Sequence, residues 1–218
     1  MDLSFVKWIG HASFLLKLNG KTVYIDPFDI RGTGEHADFI LITHPHSDHL
    51  SEDDIKKIAD KNTRIYVPKD SVSKISSGKV IGVEPNRHYE DGEMEFDTVP
   101  AYNVAENKRH FHPKASGWVG YVLDINGNKV YHAGDTDFIE EMSRIVTGLA
   151  LLPMGGTYVM EVDEMIRAAH AVKAEHVAPI HYRRLLGREG SAAAEKKFLE
   201  NVKNGIILEE TEEPKYSF

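Results

Sequence analysis

The stretch Thr43-His44-Pro45-His46-Ser47-Asp48-His49-Leu50 places three histidines and one aspartate within six residues. It directly follows the apolar run Phe39-Ile40-Leu41-Ile42, which predicts a short buried strand over 39–42. A hydrophobic core does not need three imidazoles and a carboxylate packed so densely, whereas these side chains are common metal ligands. The stretch therefore predicts a metal site at the end of a strand. The alternative is a histidine-rich surface loop that traps metal by accident.

The spacing of these side chains indicates how they divide between metal positions. His44 and His46 are two residues apart, so in an extended chain both project to one side and can share one ion. Asp48 and His49 come where the chain turns, and they can serve a second position close by. Two ions about 3.5–4 Å apart can share a water and make it a nucleophile near neutral pH. We expect one or two divalent ions; nitrogen and oxygen ligands without sulfur favour zinc, with manganese, iron or nickel as alternatives.

The composition limits the classes of protein to which the chain can belong. A chain of 218 residues with 41% hydrophobic and 28% charged residues is typical of a globular protein, and we expect one domain over 1–218. The absence of cysteine excludes disulfides, thiolate metal sites and cysteine nucleophiles. With no apolar leader and no apolar run of about 20 residues, we expect a cytoplasmic protein without a membrane span. The net charge of −8 argues against binding along a nucleic acid.

Each half of the chain runs from strands into alternating strands and helices. The Asn19-Gly20 pair predicts a hairpin turn, and Ser51 is a predicted helix N-cap ahead of three acidic residues. This order predicts an α/β protein whose two halves pack sheet to sheet, with helices outside. In the first half we predict strands over 3–8, 13–18, 22–25, 39–42, 64–67, 80–83 and 93–99 and helices over 51–59 and 70–75. In the second half we predict strands over 118–125, 129–132, 149–152, 176–179 and 205–208, a turn over 126–128, and helices over 138–146, 163–172 and 192–202.

The pattern His44-x-His46-x-Asp48-His49 resembles the signature of the metallo-β-lactamase-fold hydrolases. Further landmarks follow in that family's order across nearly the whole chain. Gly134-Asp135-Thr136 resembles the segment whose aspartate bridges both metals, and Pro179-Ile180-His181 resembles the strand end that presents the last histidine. Ile9-Gly10-His11-Ala12-Ser13, followed by Ile25-Asp26-Pro27, is similar to the opening of one subgroup. That subgroup contains the ascorbate-6-phosphate lactonase-like proteins and the phospholipase D that acts on N-acyl-phosphatidylethanolamine.

The resemblance implies a four-layer αβ/βα sandwich and a two-metal centre. His44 and His46 would hold one metal, Asp135 would bridge both, and the second metal would be held by Asp48, His49 and His181. Asp135 also follows a predicted strand at a glycine, where the backbone can bring a carboxylate close to a cavity. A turn aspartate or helix N-cap at Asp135 and a core histidine at His181 are the alternatives.

One ligand of the family pattern is missing. A histidine usually follows the middle strand, at a place that matches Tyr102-Asn103 here. The amide oxygen of Asn103 can bind a hard ion, and either His110 or His112 can fold back from the polar loop predicted over 101–116. We favour His112, because Pro113 restricts the backbone beside it. Otherwise the first site is weak and the protein works with one metal.

Several other residues are candidates around the metals. His11 is a candidate ligand, proton shuttle or substrate contact in the resembled subgroup, or else a core histidine. Asp26 is a candidate for orienting a ligand imidazole, or else a turn aspartate before Pro27. Gly155 and Gly156 can let a substrate approach the backbone, or they are ordinary turn residues. Arg183 suits a phosphate or carboxylate, although arginines are more often on the surface.

The sequence therefore predicts a metal-dependent hydrolase acting on an ester, lactone or phosphodiester of a small metabolite, anionic ones included. A metal-bound hydroxide would attack the carbonyl or phosphorus, with Asp48 or His11 assisting proton transfer. The alternatives are a small nuclease of the same fold, a di-iron redox enzyme, and a non-catalytic metal-binding protein with an incomplete first site. His46 and the short chain speak against the redox enzyme, which would resemble this motif with a carboxylate at that position. A homo-oligomer is compatible with the sequence.

Overall fold

Two six-stranded mixed sheets form the centre of the fold in the computed structural model, which describes residues 2–18, 20–92, 94–125, 127–211 and 216. In the first sheet the strands lie in chain order, β1 and β2 as a hairpin, β3 antiparallel to β2, and the rest parallel. These strands are β1 Val6–Gly10, β2 Ser13–Leu18, β3 Lys21–Ile25, β4 Phe39–Leu41, β5 Arg64–Pro68 and β6 Lys79–Val83.

The second sheet follows the same plan in reverse order. Its parallel strands lie at one side and its antiparallel strands at the other, in the order β12-β11-β10-β9-β8-β7. These strands are β7 His88–Asp91, β8 Met94–Pro100, β9 Val119–Ile125, β10 Asn128–His132, β11 Val146–Pro153 and β12 Lys173–Ile180.

Alternating apolar residues in the first sheet explain why it packs on both faces. Phe14 and Leu16 of β2 belong to the large core between the sheets, whereas Leu15 between them belongs to a second core on the outer face. In β4, Phe39 and Leu41 face inward and Ile40 outward in the same way. This period of two is what a strand requires when helices cover one face and a sheet covers the other.

Three α-helices in the described part of the chain cover the outer faces: α1 Glu52–Ile58, α2 Val162–Ala171 and α3 Arg183–Asn201. Ser51 caps α1 as predicted, because its side chain accepts a hydrogen bond from the Asp54 backbone N–H at 3.3 Å. α3 is two helices joined at a kink at Gly187, whose φ of 67° only glycine adopts without strain. The layers are therefore helix, sheet, sheet, helix. No helix among the described residues is long and apolar enough to cross a bilayer.

Some predicted elements are wrong. The helix predicted over 138–146 is only a 3-10 segment, Glu140–Arg144, because the chain from Val146 pairs in parallel with β12. The strand predicted over 205–208 is reduced to one bridge between Gly205 and Val177. The helix predicted over 192–202 is the second half of the longer α3, and β7 is not predicted at all because its side chains are mostly polar. Two turn residues, Asn19 and Asn126, and Glu93 at the start of a predicted strand lie outside the described residues.

The predicted metal-ligand motifs of both halves lie at one edge of the sandwich. β4 ends at Leu41 just before the histidine cluster, and β12 ends at Ile180 just before His181. The Tyr121 hydroxyl of β9 donates a hydrogen bond to the Ile42 carbonyl at 2.7 Å, which ties the second sheet to the end of β4. The two sheets therefore hold the motifs of both halves together.

Candidate metal centre

Eight side chains with metal-binding atoms meet at this edge. Their ligand atoms form three overlapping groups, within each of which all atoms lie within 4.8 Å of one another. Most of these residues are fully or nearly buried, while His46 and Asp48 lie closer to solvent. The groups are His44, His46 and His112; His44, His49 and Asp135; and His11, Asp48, His49 and His181.

The first group combines two motif histidines with one from the loop. Nε2 of His44 lies 3.0 Å from Nδ1 of His46. His112 completes the group, and its Nε2 lies 3.3 Å from Oδ2 of Asp135. A tetrahedral zinc ion with bonds of about 2.0–2.1 Å holds neighbouring ligand atoms about 3.3–3.4 Å apart. The separations at this group are close to that value.

The group of His11, Asp48, His49 and His181, called the second group below, is built around Asp48. Oδ2 of Asp48 lies 3.4 Å from Nε2 of His181 and 3.7 Å from Nε2 of His49. On its other side, Nε2 of His11 lies 3.0 Å from the same oxygen. One carboxylate oxygen thus meets three imidazoles.

Asp135 lies between the two groups. Its Oδ2 is 3.2 Å from Nε2 of His181 in the second group, and it also approaches His112 in the first. Its Oδ1 is 3.3 Å from Nε2 of His49. Gly134 makes this approach feasible, because a side chain there would lie 3.0 Å from Cβ of Thr43 and its φ is +65°.

Unpartnered atoms test whether these residues fit a metal. Nε2 of His49, His112 and His181, together with Oδ1 of Asp135, are buried and make no hydrogen bond within the described residues. Buried polar atoms are nearly always satisfied, so four unsatisfied atoms clustered around Asp135 indicate that they bind a missing partner. Nitrogen and carboxylate donors clustered in this way are the chemistry of divalent metal sites. The residues fit the metal.

Asp26 and Thr43 fix the orientation of two imidazoles. The buried Asp26 carboxylate accepts hydrogen bonds from the Thr43 backbone N–H, the Thr43 hydroxyl and Nδ1 of His49, each at 2.7 Å. Because the Thr43 hydroxyl donates to Asp26, it is left to accept from Nδ1 of His44 at 3.0 Å. Both Nε2 atoms therefore carry the lone pair that a metal ligand needs. Thr43 was not predicted as a site residue, although it directly precedes His44.

Asn103 occupies the place of the missing histidine, but its amide does not face the ligand atoms. Its Oδ1 accepts from Nδ1 of His112 at 2.7 Å, and its Nδ2 donates to Oδ1 of Asp137 and to the Tyr158 carbonyl, both at 3.0 Å. His112 thus takes the position beside Asp135, and Asn103 fixes its tautomer. His110 is exposed.

Three residues at the site have left-handed backbone conformations that side chains other than glycine rarely adopt. The φ angles of His11, Asp26 and His181 are 53°, 47° and 55°. Such strain costs about 1–3 kcal/mol per residue and is typical of functional sites. The His181 backbone N–H donates to the His11 carbonyl at 3.0 Å, so two of the strained residues hold each other in place.

Electrostatics prepare the side chains for a cation. Burial, followed by the neighbouring His181, lowers the pKa of His11 to about 3, and burial also lowers that of His44 well below its usual value. Although burial opposes the change, neighbouring imidazoles hold the pKa of Asp48 and Asp135 below the usual range. Burial likewise opposes protonation of His49, but three carboxylates outweigh it and raise its pKa well above normal. The site therefore demands positive charge, as a proton or a metal.

The structure places other candidates away from the ligand atoms. Arg183 stacks over Trp8 at 4.7 Å and pairs with Glu195 and Glu210, each at 3.1 Å. Gly155 lies behind the metal centre, because a side chain there would come within 2.4 Å of the His181 carbonyl oxygen. It allows close packing against His181, and with Gly156 it lines a different cavity. His132 is held between the Ala12 carbonyl and the Gly134 N–H, which makes it a packing residue.

A cavity of about 380 Å³ opens over the metal centre. Its floor is polar, and three aromatic side chains that the sequence analysis did not single out line its walls. The proximity of Phe111 to His112 was the one available signal. The lining residues are Phe28, His46, Ser47, Asp48, Phe111, His112, Asp135, Tyr158 and His181.

Comparison with known proteins agrees with this geometry. The beta-lactamase superfamily domain model matches residues 5–181. A UPF0173 metal-dependent hydrolase of Thermoplasma acidophilum is 32% identical, over 95% of this chain and 96% of its own. One from Pyrococcus furiosus is 31% identical, over 81% and 84% of the two chains. A crystal structure from Parabacteroides distasonis, described as a metal-dependent hydrolase, is 28% identical with a TM-score of 0.82, over 94% and 93%.

These relatives confirm the predicted metallo-β-lactamase fold and the predicted hydrolase class. They leave the narrower lactonase-like and phospholipase D-like subgroup a prediction. The chain belongs to the beta-lactamase superfamily and, within it, to the UPF0173 metal-dependent hydrolases.

Proposed function

We propose that this hydrolase uses two divalent metal ions to cleave an ester, lactone or phosphodiester bond of a small molecule. The observation that supports this most is the position of Asp135, whose two oxygens lie within 3.3 Å of ligand nitrogens from both groups. His44, His46 and His112 would hold the first ion, and Asp48, His49 and His181 the second. The nitrogen-rich ligand set favours zinc.

Side chains of the protein itself would transfer protons and position the ligands. When bound, the metals would supply Lewis acidity and make water nucleophilic near neutral pH. Asp48 lines the cavity and is the proposed proton acceptor, while the buried His11 holds its Oδ2 at 3.0 Å as a positioning residue. Because ligands come from both halves of the chain, we propose that residues 1–218 act as one domain. A cysteine-free composition supports a cytoplasmic location.

Metal removal tests the proposed function. We expect the purified protein to bind about two zinc ions and to hydrolyse at least one ester, lactone or phosphodiester. A chelator should abolish this activity, and stoichiometric zinc or manganese should restore it. Metal analysis and turnover are measured on the same samples. About one tightly bound ion with no turnover of any of the three substrate classes would instead favour a non-catalytic metal-binding protein.

The His112→Ala variant tests the unusual first site, with His110→Ala as a matched control two residues away in the same loop. Loss of His112 should remove one of three nitrogen ligands and leave the side-chain Oδ1 of Asn103 without its hydrogen-bond donor. We expect the first ion to bind at least about 100-fold more weakly, since removing even a supporting partner costs about 10–100-fold. Isothermal titration with zinc measures both affinities. Equal affinities in the two variants would exclude His112 as a ligand.

A further inference from the structure

We infer that the substrate is an uncharged ester or lactone with an apolar, ring-sized group attached to its carbonyl. This inference rests on the proposed function and narrows its substrate class. The reacting carbonyl would lie over the polar floor of the cavity, and the apolar group would lie against the aromatic wall, defined as Phe28, Phe111 and Tyr158.

The aromatic wall is organised by its own contacts. The rings of Phe111 and Tyr158 meet edge to face with centroids 4.8 Å apart. The Arg184 guanidinium lies over the Phe28 ring, 5.0 Å from the ring centroid. Tyr158 is 38% exposed, and Phe28 and Phe111 are half-buried, so all three side chains are partly open to solvent. Exposed aromatic rings beside a polar floor are typical of a ligand pocket that holds an apolar group.

The charges around the cavity argue against an anionic substrate group. No lysine or arginine lines the cavity among the described residues. The nearby Arg184 forms an ion pair with Asp29, and the buried Lys108 ammonium donates to the Val159 carbonyl at 2.7 Å. A phosphodiester would therefore find only the metals as positive partners, whereas phosphate recognition ordinarily adds a guanidinium or ammonium.

The size of the cavity sets a limit on the substrate. At about 380 Å³ it is near the lower end of the range of small-molecule sites, about 300–1,000 Å³. It has room for one ring-sized group above the floor. In the reaction, water would add its oxygen to the carbonyl carbon and the acyl carbon–oxygen bond would break. An ester gives a carboxylate, an alcohol and one proton, and a lactone gives one hydroxycarboxylate and one proton.

Matched probes test the substrate class on the zinc-loaded full chain. We compare 4-nitrophenyl phenylacetate, 4-nitrophenyl acetate and bis(4-nitrophenyl) phosphate, each relative to its uncatalysed hydrolysis. Burial of a phenyl group corresponds to a preference of about 10- to 100-fold, so the phenylacetate ester should exceed the acetate ester in kcat/KM by that factor. Zinc-loaded protein should also bind phenylacetate about 10- to 100-fold more tightly than acetate, measured by titration.

Phe111→Ala should reduce both preferences about tenfold by removing a ring of the aromatic wall. Leu199→Ala is the control, because it truncates an apolar side chain that is 47% exposed on α3, outside the cavity. Equal preferences for the two acyl groups, or a larger rate enhancement for the phosphodiester, would overturn the inference while the hydrolase function stands. Selective binding of phenylacetate without turnover of any ester, lactone or phosphodiester would contradict the hydrolase function and leave only the preference of the aromatic wall for an apolar group.

Discussion

Replacing Asp135 by alanine is expected to lower the hydrolytic rate on the order of a thousandfold. The variant removes the carboxylate that lies between the two ligand groups, 3.3 Å from His49 and 3.2 Å from His181. Metal ions contribute several kcal/mol to stabilising the transition state, and about 1.4 kcal/mol corresponds to a factor of ten. Loss of the shared ligand should also reduce bound zinc from about two ions to one or none. Steady-state kinetics and metal analysis measure both effects.

Asp97→Ala is the matched control, because Asp97 is an exposed aspartate on β8 of the same sheet. It should keep both metal content and rate. The double variant with His46 and Asp135 both changed to alanine removes one ligand from the first group and the carboxylate shared with the second. If the double variant retained the activity of the purified protein, the two-metal assignment would be wrong.

Replacing Asp26 by alanine is expected to destabilise the protein by about 3–5 kcal/mol, the cost of breaking a buried charged pair from one side. The Thr43 N–H, the Thr43 hydroxyl and Nδ1 of His49 would all lose their acceptor in the core. For a chain of this length the midpoint of thermal unfolding should fall by about 10 °C. Because the His49 imidazole would also lose its orientation, zinc should bind about 10–100-fold more weakly.

Calorimetry on metal-free and zinc-loaded samples separates the two effects of this substitution. The control is Asp38→Ala, because Asp38 also accepts a backbone N–H, from Thr22 at 2.9 Å, but is partly exposed. It should cost no more than about 1 kcal/mol. An unfolding midpoint for Asp26→Ala as high as that of the control would show that Asp26 does not support the metal centre.

Much of the fold follows from local patterns. The strands β2, β3, β5 and β6 and the helices α1 and α2 lie within one or two residues of their predicted bounds. For α1 the local signal is the N-cap Ser51 followed by three acidic residues. The helix predicted over 138–146 is wrong because strand pairing of Val146 with Lys173 outweighed the local helical preference of this segment. Partners so distant in sequence leave no trace in a window of a few residues.

The residues of the candidate metal centre could likewise be predicted only in part from the sequence. The motif residues His44, His46, Asp48 and His49 were predicted as ligands from their types and spacing, and the family resemblance added Asp135 and His181, because these landmarks are local. The sequence left His110 and His112 as alternatives and favoured His112. The tertiary structure brought His112 to Asp135 and gave Asn103 a supporting amide. It also assembled the aromatic wall from three separate loops. Residue types and their spacing determine which side chains can bind a metal, whereas the packing of the two sheets decides which of these side chains come together.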